Sequence, residues 1–260
     1  MRNHFAFPLH IQLPYMPFDA DFEDVLRLLR AEGFAGVELN LLSFDDPEGL
    51  RRLLSKHGLR LSMVASGAYA KQNGLSLSAP DDSVREAAIA AVRQMLSFAE
   101  ALGAGVICGF MKGGAGQDEN AAVRMTKSLN ALPDTDAPLY IEATNHYEAT
   151  LANTLAEGVA LIAGKNANLR ILPDTYHMNI EESGMEQALL HHAGRYQNLH
   201  LSDNNRYFPG FGALDFRALY RFLRAMNYNG ATAIEGRPRH GLREDIVASA
   251  RYLAACSEGI

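Results

Sequence analysis

Short apolar runs alternate with segments of helical periodicity along the whole chain. The apolar runs have the length and composition of buried strands, and between them apolar residues recur at the 3.6-residue spacing of amphipathic helices. Eight such strands are predicted, near residues 5–13, 35–41, 59–66, 104–110, 138–144, 169–174, 197–202 and 231–235. The pattern therefore predicts eight consecutive strand–helix units.

The helix between the third and fourth predicted strands has the clearest pattern. Apolar residues from Val84 to Leu102 follow helical spacing, and Gly103 marks the predicted end of the helix. At the other end, Ser83 and Glu86 stand three residues apart, which is the spacing of a capping box. We therefore predict that this helix begins at Ser83.

Eight strand–helix units in about 250 residues are typical of a (β/α)₈ TIM barrel, an α/β fold. No linker-like stretch divides the chain, so we predict a single domain over residues 1–260. A doubly wound open sheet is the alternative. It fits less well because no glycine-rich dinucleotide-binding sequence follows the first strand, where Pro14, Met16 and Pro17 stand instead.

Composition narrows the class of protein. A chain of 260 residues with 48% hydrophobic content can bury a full core, which excludes disorder. The net charge of −6 opposes non-specific binding to nucleic acid. No apolar run approaches the roughly 18 residues of a membrane span, and the first residues lack the apolar segment of a secretory signal. With only Cys108 and Cys256, no disulfide framework is expected. We therefore expect a cytoplasmic protein without nucleic-acid or membrane partners.

Each of the last four predicted strands ends in a potential metal ligand: Glu142, Asp174, His200 and Glu235. Ionisable groups at the ends of buried strands are costly unless they are paired, hydrogen-bonded or bound to a metal. In a barrel these strand ends meet at one mouth. Three carboxylates and one imidazole suit Mn²⁺, Co²⁺ or Mg²⁺, with Zn²⁺ as a further candidate. The alternative is four separate polar residues, each satisfied by a helix N-terminus or a salt bridge.

Two longer segments near these ligands carry a family resemblance. One is Asp174-Thr-Tyr-His-Met-Asn-Ile-Glu-Glu, and the other is the loop Asn205-Arg-Tyr-Phe-Pro-Gly-Phe-Gly. With the strand-end ligands, they make the sequence resemble the xylose-isomerase-like barrel superfamily, and within it the ketose 3-epimerases of the tagatose and psicose type. Enzymes similar to hydroxypyruvate isomerase are the second resemblance.

The resemblance implies a role for each candidate site residue. It implies one divalent ion, with Mn²⁺ or Co²⁺ preferred, held by the four strand-end ligands. Glu142 and Glu235 would also act as the acid/base pair. His177 and Arg206 would hold the O2-side oxygens of the substrate, and Glu148 would hold its terminal hydroxyl. The resemblance further points to a small-molecule sugar substrate and to a homodimer or homotetramer.

The expected reaction is inversion of a free ketose at C3 through an enediolate. A metal at the carbonyl makes the neighbouring proton removable, and two carboxylates on opposite faces permit inversion. Isomerisation of hydroxypyruvate or a related keto-sugar, with a proton moved between C1 and C2, is the main alternative. A sugar-binding barrel without turnover is another. An apurinic endonuclease is disfavoured because the segment Gly212–Asp215 lacks the required histidine. A phosphorylated substrate stays open.

Several other polar residues are given structural interpretations. We expect Glu38 to pair with neighbouring strands or helix termini, and His10 to be a satisfied core histidine. Lys112 is expected to be a solvated loop charge. Glu181 and Glu182 are expected to favour the N-terminus of the sixth helix.

Overall fold

The computed structural model describes residues 5–166 and 168–259. Within these residues eight parallel strands form one sheet, in the order β6-β5-β4-β3-β2-β1-β8-β7. The strands are β1 (Leu9–Leu13), β2 (Gly36–Asn40), β3 (Arg60–Ala65), β4 (Gly105–Cys108), β5 (Leu139–Glu142), β6 (Leu169–Leu172), β7 (Asn198–Leu201) and β8 (Ala231–Ile234). The predicted TIM barrel is confirmed. Residues 1–4, 167 and 260 of the predicted domain lie outside the described residues.

The sheet curls until its two ends nearly meet. β1 pairs with both β2 and β8, so the chain's first and last strands are neighbours, as they are in a barrel. The remaining seam lies between β6 and β7. It is crossed by an isolated bridge between Asp174 and His200, and His200 N donates to Pro173 O at 2.9 Å. The doubly wound alternative is wrong because such a sheet would leave β1 inside an open sheet and unpaired with β8.

Helices follow the strands and pack on the outside of the barrel. Their bounds are α1 (Ala20–Ala31), α2 (Pro47–Lys56), α3 (Gly67–Asn73), α4 (Asp82–Ala101), α5 (Ala121–Asn130), α6 (Leu155–Ile162), α7 (Thr175–Glu181), α8 (Met185–His191), α9 (Phe216–Ala225) and α10 (Leu242–Ser257). A short 3₁₀ helix, Phe110–Lys112, follows β4. None of the helices within the described ranges is both long and apolar enough to cross a bilayer.

The start of α4 differs from the prediction. Asp81 caps this helix, because its side chain accepts hydrogen bonds from Ser83 N and Ser83 Oγ, both at 2.7 Å. The predicted capping box of Ser83 and Glu86 is therefore wrong. Asp81 accepts from Ser83 N, the backbone donor that Glu86 would need in a capping box, and also from the Ser83 hydroxyl.

The core has two parts. Outward-facing residues of the strands pack against the helices in one large apolar cluster. The barrel interior holds a smaller cluster of Met63, Ala65, Ile107, Tyr140 and Leu172. Because side chains alternate along a strand, Tyr140 and Glu142 share one face of β5, and the apolar cluster lies below the carboxylate. The inside of the barrel thus changes from apolar to acidic toward its C-terminal mouth.

His10 lies inside the barrel and is only partly as expected. Its side chain is buried, but neither ring nitrogen has a hydrogen-bond partner among the described residues. Burial lowers the pKa of His10 from 6.5 to about 4. The core position is confirmed and the expected pairing is wrong.

This pKa predicts a pH-dependent loss of stability. The unfolded chain takes up a proton at His10 below pH 6.5, whereas the folded chain does so only near pH 4. Protonation of His10 therefore does not lower the free energy of unfolding above pH 6.5. As the pH falls toward 4, it lowers the free energy of unfolding by on the order of 2–3 kcal/mol. Urea unfolding at pH 7 and pH 4.5 measures it. The glutamine in His10→Gln stays neutral at both pH values, so this variant should lose less free energy of unfolding between pH 7 and pH 4.5 than wild type. An equal loss in both proteins would contradict the prediction.

Candidate active site

The four predicted ligands come together at the C-terminal mouth of the barrel. Glu142, Asp174, His200 and Glu235 each contribute one ligand atom, and these atoms all lie within 4.8 Å of one another. Glu142 ends β5, His200 lies on β7, and the other two residues closely follow β6 and β8. The first three side chains are buried and Glu235 is half-buried. The convergence expected from the strand ends is therefore present.

Helix capping orients Asp174 within this cluster. Its Oδ1 accepts hydrogen bonds from Tyr176 N at 2.7 Å and His177 N at 3.3 Å, at the start of α7. Its Oδ2 is left to face the cluster. The helix that follows the sixth strand is therefore α7, which begins at Thr175. Glu181 and Glu182 lie at its C-terminal end, so the expectation that they favour its N-terminus is wrong.

Those two glutamates instead stabilise the segment after β5. Glu181 ends α7, and its Oε1 accepts a hydrogen bond from His146 N at 2.8 Å. Glu182 Oε1 accepts one from Leu155 N at 2.8 Å. Both side chains therefore tie the end of α7 to the neighbouring β5–α6 connection.

His200 joins the cluster to a fourth carboxylate, that of Glu38. Its Nδ1 lies 2.5 Å from Glu235 Oε2, and its Nε2 lies 2.9 Å from Glu38 Oε2. Burial alone would lower the pKa of His200, but the carboxylates of Glu38 and Glu235 outweigh it and raise the pKa well above 6.5. Glu38 is fully buried and pairs across the barrel interior. The structural role expected for Glu38 is therefore present, and its partners Asn198 and His200 lie on β7 rather than at a helix terminus.

Arg206 contacts two of the cluster's carboxylates. Its Nη1 donates to Asp174 Oδ2 at 2.8 Å, and its Nη2 donates to Glu235 Oε1 at 2.9 Å. The residue has a φ of +64°, which is uncommon for a side chain of this size. Such a conformation persists only where surrounding contacts hold it.

Asp203, in the loop after β7, provides those contacts. Its buried carboxylate accepts hydrogen bonds from the backbone nitrogens of Gly210, Gly212 and Leu214, at 3.0, 2.8 and 3.0 Å. Its carbonyl oxygen accepts from Arg206 N at 2.9 Å. The Arg206 loop is therefore built around one buried carboxylate.

His177 presents a hydrogen-bond donor to the cluster. Asn145 donates to its Nδ1 from the side-chain Nδ2 at 2.7 Å and from the backbone at 3.2 Å. The amide orientation is set because Asn145 Oδ1 accepts from Tyr147 N. Nδ1 must therefore be the acceptor, and Nε2 carries the hydrogen. Nε2 lies 3.7 Å from Glu142 Oε1. It has no hydrogen-bond partner among the described residues. Burial lowers the pKa of His177, which favours the neutral ring.

A cavity of about 160 Å³ opens directly above the cluster. Glu148 lies at its exposed rim, where its Oε1 accepts from Asn145 Nδ2 at 3.1 Å. The predicted substrate-binding residues His177, Arg206 and Glu148 thus all line the cavity. Other lining residues include Gln12, Asn40, Ser66, Gly109, Phe110, Lys112 and Thr144.

Lys112 is a site residue that the sequence interpretation missed. Its side chain is fully buried beside the cavity, and Nζ donates to Thr144 Oγ1. Burial lowers its pKa, while the nearby carboxylate of Glu142 opposes that change. The expectation of a solvated loop charge is wrong because the 3₁₀ turn directs the side chain into the barrel. No local sequence signal marks this turn.

The two glutamates differ electrostatically. Burial and the charge of Glu235 raise the pKa of Glu142 to about 8. Burial would also raise the pKa of Glu235, but Arg206 and His200 hold it well below 4.5. Gly109 makes room for Glu142, because a Cβ added at this position would overlap Glu142 Oε2. Three crowded carboxylates beside one imidazole nitrogen fit a divalent cation, whose charge would relieve their repulsion.

Comparison with known proteins places this geometry in a family. The family described as "Xylose isomerase-like TIM barrel" matches residues 26–256. The 3-dehydro-D-guloside 4-epimerase of Escherichia coli K12 is 42% identical over 106 residues, and that alignment spans 40% of each protein. The L-ribulose 3-epimerase of Mesorhizobium japonicum is 28% identical over 221 residues, which cover 80% of this chain and 73% of that one.

A solved structure agrees over a longer span. The 3-keto-D-glucoside 4-epimerase of Escherichia coli superposes with a TM-score of 0.82 at 25% identity, covering 96% of this chain and all of that one. The family match includes all four clustered residues and most of the barrel. The chain belongs to the xylose isomerase-like TIM barrel family.

Proposed function

We propose that the protein is a metal-dependent sugar epimerase that inverts C3 of a free ketose through an enediolate. The observation that carries the proposal is the position of Glu142 and Glu235, which share one four-donor cluster on the floor of a small polar cavity. The relatives named above are carbohydrate epimerases, which agrees with the isomerase class expected from the sequence.

The four clustered residues, Glu142, Asp174, His200 and Glu235, are the proposed ligands of one divalent ion, Mn²⁺ or Co²⁺. When bound, such an ion supplies Lewis acidity at the carbonyl and neighbouring hydroxyl of the ketose. Asp174 is suited to a fixed position, because its other oxygen caps α7. His200 is suited through Nδ1, the ring nitrogen that faces the cluster.

The proton transfers belong to the two glutamates. One carboxylate removes the C3 proton, and the carboxyl group on the opposite face returns a proton to the planar enediolate. Reaction in the reverse direction exchanges their roles. Arg206, Lys112 and His200 flank the pair with positive charge or hydrogen-bond donors. This surrounding charge supports the oxyanion that develops as the C–H bond breaks.

The remaining polar groups of the cavity would orient the sugar. His177 offers its free Nε2 hydrogen to an O2-side oxygen, and Arg206 reaches the same region from the opposite loop. Glu148 at the rim is positioned to accept a hydrogen bond from the terminal hydroxyl. Phe110, with 52% of its surface exposed, provides an apolar wall for the carbon face of the ring or chain.

A second candidate function is epimerisation at C4 of a 3-keto sugar. It is favoured by the identity of 42% to the guloside epimerase over 106 residues, and by the superposition with the keto-glucoside enzyme. The chemistry is the same, because the inverted carbon again lies next to a ketone. Isomerisation with a C1–C2 proton shift uses the same groups and differs only in which proton moves.

Proton exchange in D₂O distinguishes these reactions. Metal-stripped protein, with and without added Mn²⁺, is incubated with free ketoses, phosphorylated ketoses and 3-keto glucosides, and NMR locates the deuterium. We expect Mn²⁺-dependent deuterium at C3 of a free ketose, together with its epimer, and loss of both with EDTA. Deuterium at C1 would favour the isomerase, and deuterium at C4 of a 3-keto glucoside would favour the second candidate. Mn²⁺ binding without exchange in any compound would contradict an enzymatic role.

A further inference from the structure

The ring of His200 has only one nitrogen available to a cation. Nδ1 faces Glu235 and the cluster, whereas Nε2 faces Glu38. A histidine binds a metal through a nitrogen without hydrogen, so the hydrogen must stay on Nε2. We propose that Glu38 and Asn198 together select this tautomer and so prepare Nδ1 as a ligand. The inference rests on the metal site of the proposed function.

The contacts of Glu38 define the direction of each hydrogen bond. Its Oε2 lies 2.9 Å from His200 Nε2, and its Oε1 accepts from Asn198 Nδ2 at 2.7 Å. The Asn198 amide is oriented in turn, because its Oδ1 accepts from Leu199 N at 3.1 Å. A carboxylate has only acceptors to offer, so Nε2 must be the donor. Glu38, Asn198 and His200 are all buried, so their hydrogen bonds are shielded from bulk solvent.

Asn198 distinguishes this role from simple charge pairing. Asn198 and His200 stand two residues apart on β7 and therefore face the same side of the strand. Asn198 uses its N–H group to hold one oxygen of Glu38, which turns the other oxygen toward His200. If Glu38 served only to supply negative charge, the identity of the atom facing Nε2 would not matter. If it selects the tautomer, that identity decides metal affinity.

Glu38→Gln tests the proposal at nearly constant side-chain size. Asn198 Nδ2 still requires an acceptor and takes the oxygen of the new side-chain amide, which leaves the amide N–H₂ group facing His200 Nε2. Nε2 must then accept, and the ring hydrogen moves to Nδ1, where a cation should bind. Titration of the metal-stripped variant with Mn²⁺, by calorimetry or electron paramagnetic resonance, should show affinity about 10–100-fold weaker than wild type.

A compensating double variant provides the matched test. In Glu38→Gln with Asn198→Asp, the aspartate accepts from the glutamine amide, and the glutamine oxygen turns toward Nε2. The hydrogen returns to Nε2, and Mn²⁺ affinity should recover to within about threefold of wild type. Asn198→Asp alone sets two carboxylates face to face and should not improve binding. Two-dimensional ¹H–¹⁵N spectra of the histidine rings, recorded with the diamagnetic ion Zn²⁺ bound, would locate the remaining ring hydrogen directly.

The outcomes separate this inference from the proposed function. Wild-type protein that fails to bind Mn²⁺ would overturn the proposed function. Wild-type binding with unchanged affinity in Glu38→Gln would overturn only the tautomer inference, as would a folded double variant that binds no better than Glu38→Gln. If Glu38→Gln does not fold, circular dichroism will show it, and the double variant then decides: folding with near-wild-type affinity supports the inference, and folding without it contradicts it.

Discussion

Replacing Glu142 or Glu235 with glutamine is expected to abolish turnover, with kcat lower by about 1,000-fold or more. Each substitution removes a proposed ligand and a proton carrier while changing side-chain size very little. The proposed mechanism needs one carboxyl group on each face of the sugar, so neither glutamate can take over the role of the other. Both kcat and the exchange of the substrate proton with D₂O are measured at saturating Mn²⁺, which separates lost chemistry from weakened binding.

Glu186→Gln is the matched control for these variants. It makes the same chemical change at an exposed position on α8, away from the cavity. Its kcat should equal that of the wild-type protein. Near-normal activity in Glu142→Gln or Glu235→Gln would overturn the proposed two-carboxylate mechanism. Loss of proton exchange in both variants, with Mn²⁺ still bound at high concentration, would support it.

Arg206→Ala is expected to reduce kcat/KM by about 100-fold or more, and Mn²⁺ affinity by a smaller factor. The guanidinium contacts Asp174 and Glu235, and it extends into the cavity where the substrate oxygens would lie. It is not itself a metal ligand. Its removal therefore takes away a fixed positive charge beside the reacting oxygens. Steady-state kinetics and Mn²⁺ titration on the same preparation give both values.

Two further variants define what Arg206 contributes. Arg206→Lys keeps the positive charge, but a lysine cannot donate hydrogen bonds to both carboxylates in the geometry of a guanidinium group. Only partial activity is therefore expected. Arg237→Ala removes an exposed arginine from the neighbouring loop and should leave the kinetics unchanged. If Arg206→Ala lost Mn²⁺ affinity by the same factor as kcat/KM, the residue would have to be regarded as a support for the metal site alone.

Much of the fold was predictable because the governing signals are local. Each strand is a short apolar run, and each predicted run contains an observed strand. The four clustered residues were also predictable, because an ionisable group at the end of a buried strand needs a partner or a bound ion to offset the cost of its burial. Glu142 and Asp174 lie at the ends of apolar runs and need only the barrel to bring them together.

The contacts that complete the site could not be read from local sequence. Glu38 and His200 are 162 positions apart, and nothing near either residue identifies the other as its partner. Lys112 reaches the cavity because of a single 3₁₀ turn. Asp203 accepts its several backbone hydrogen bonds only once the following loop has folded around its carboxylate. The preferred ion, the sugar and the oligomeric state stay predictions.

The incomplete pairing of β6 and β7 gives the cluster a mechanical consequence. Asp174 and His200 stand on opposite sides of this seam and form the isolated bridge across it. An ion held by both residues would link the two edge strands of the barrel. Binding of the ion and closure of the barrel at this seam would then be thermodynamically coupled. The free energy of ion binding would then be added to the free energy of unfolding, in proportion to the logarithm of free ion concentration. The supply of the ion would thereby affect the stability of the folded protein as well as its activity.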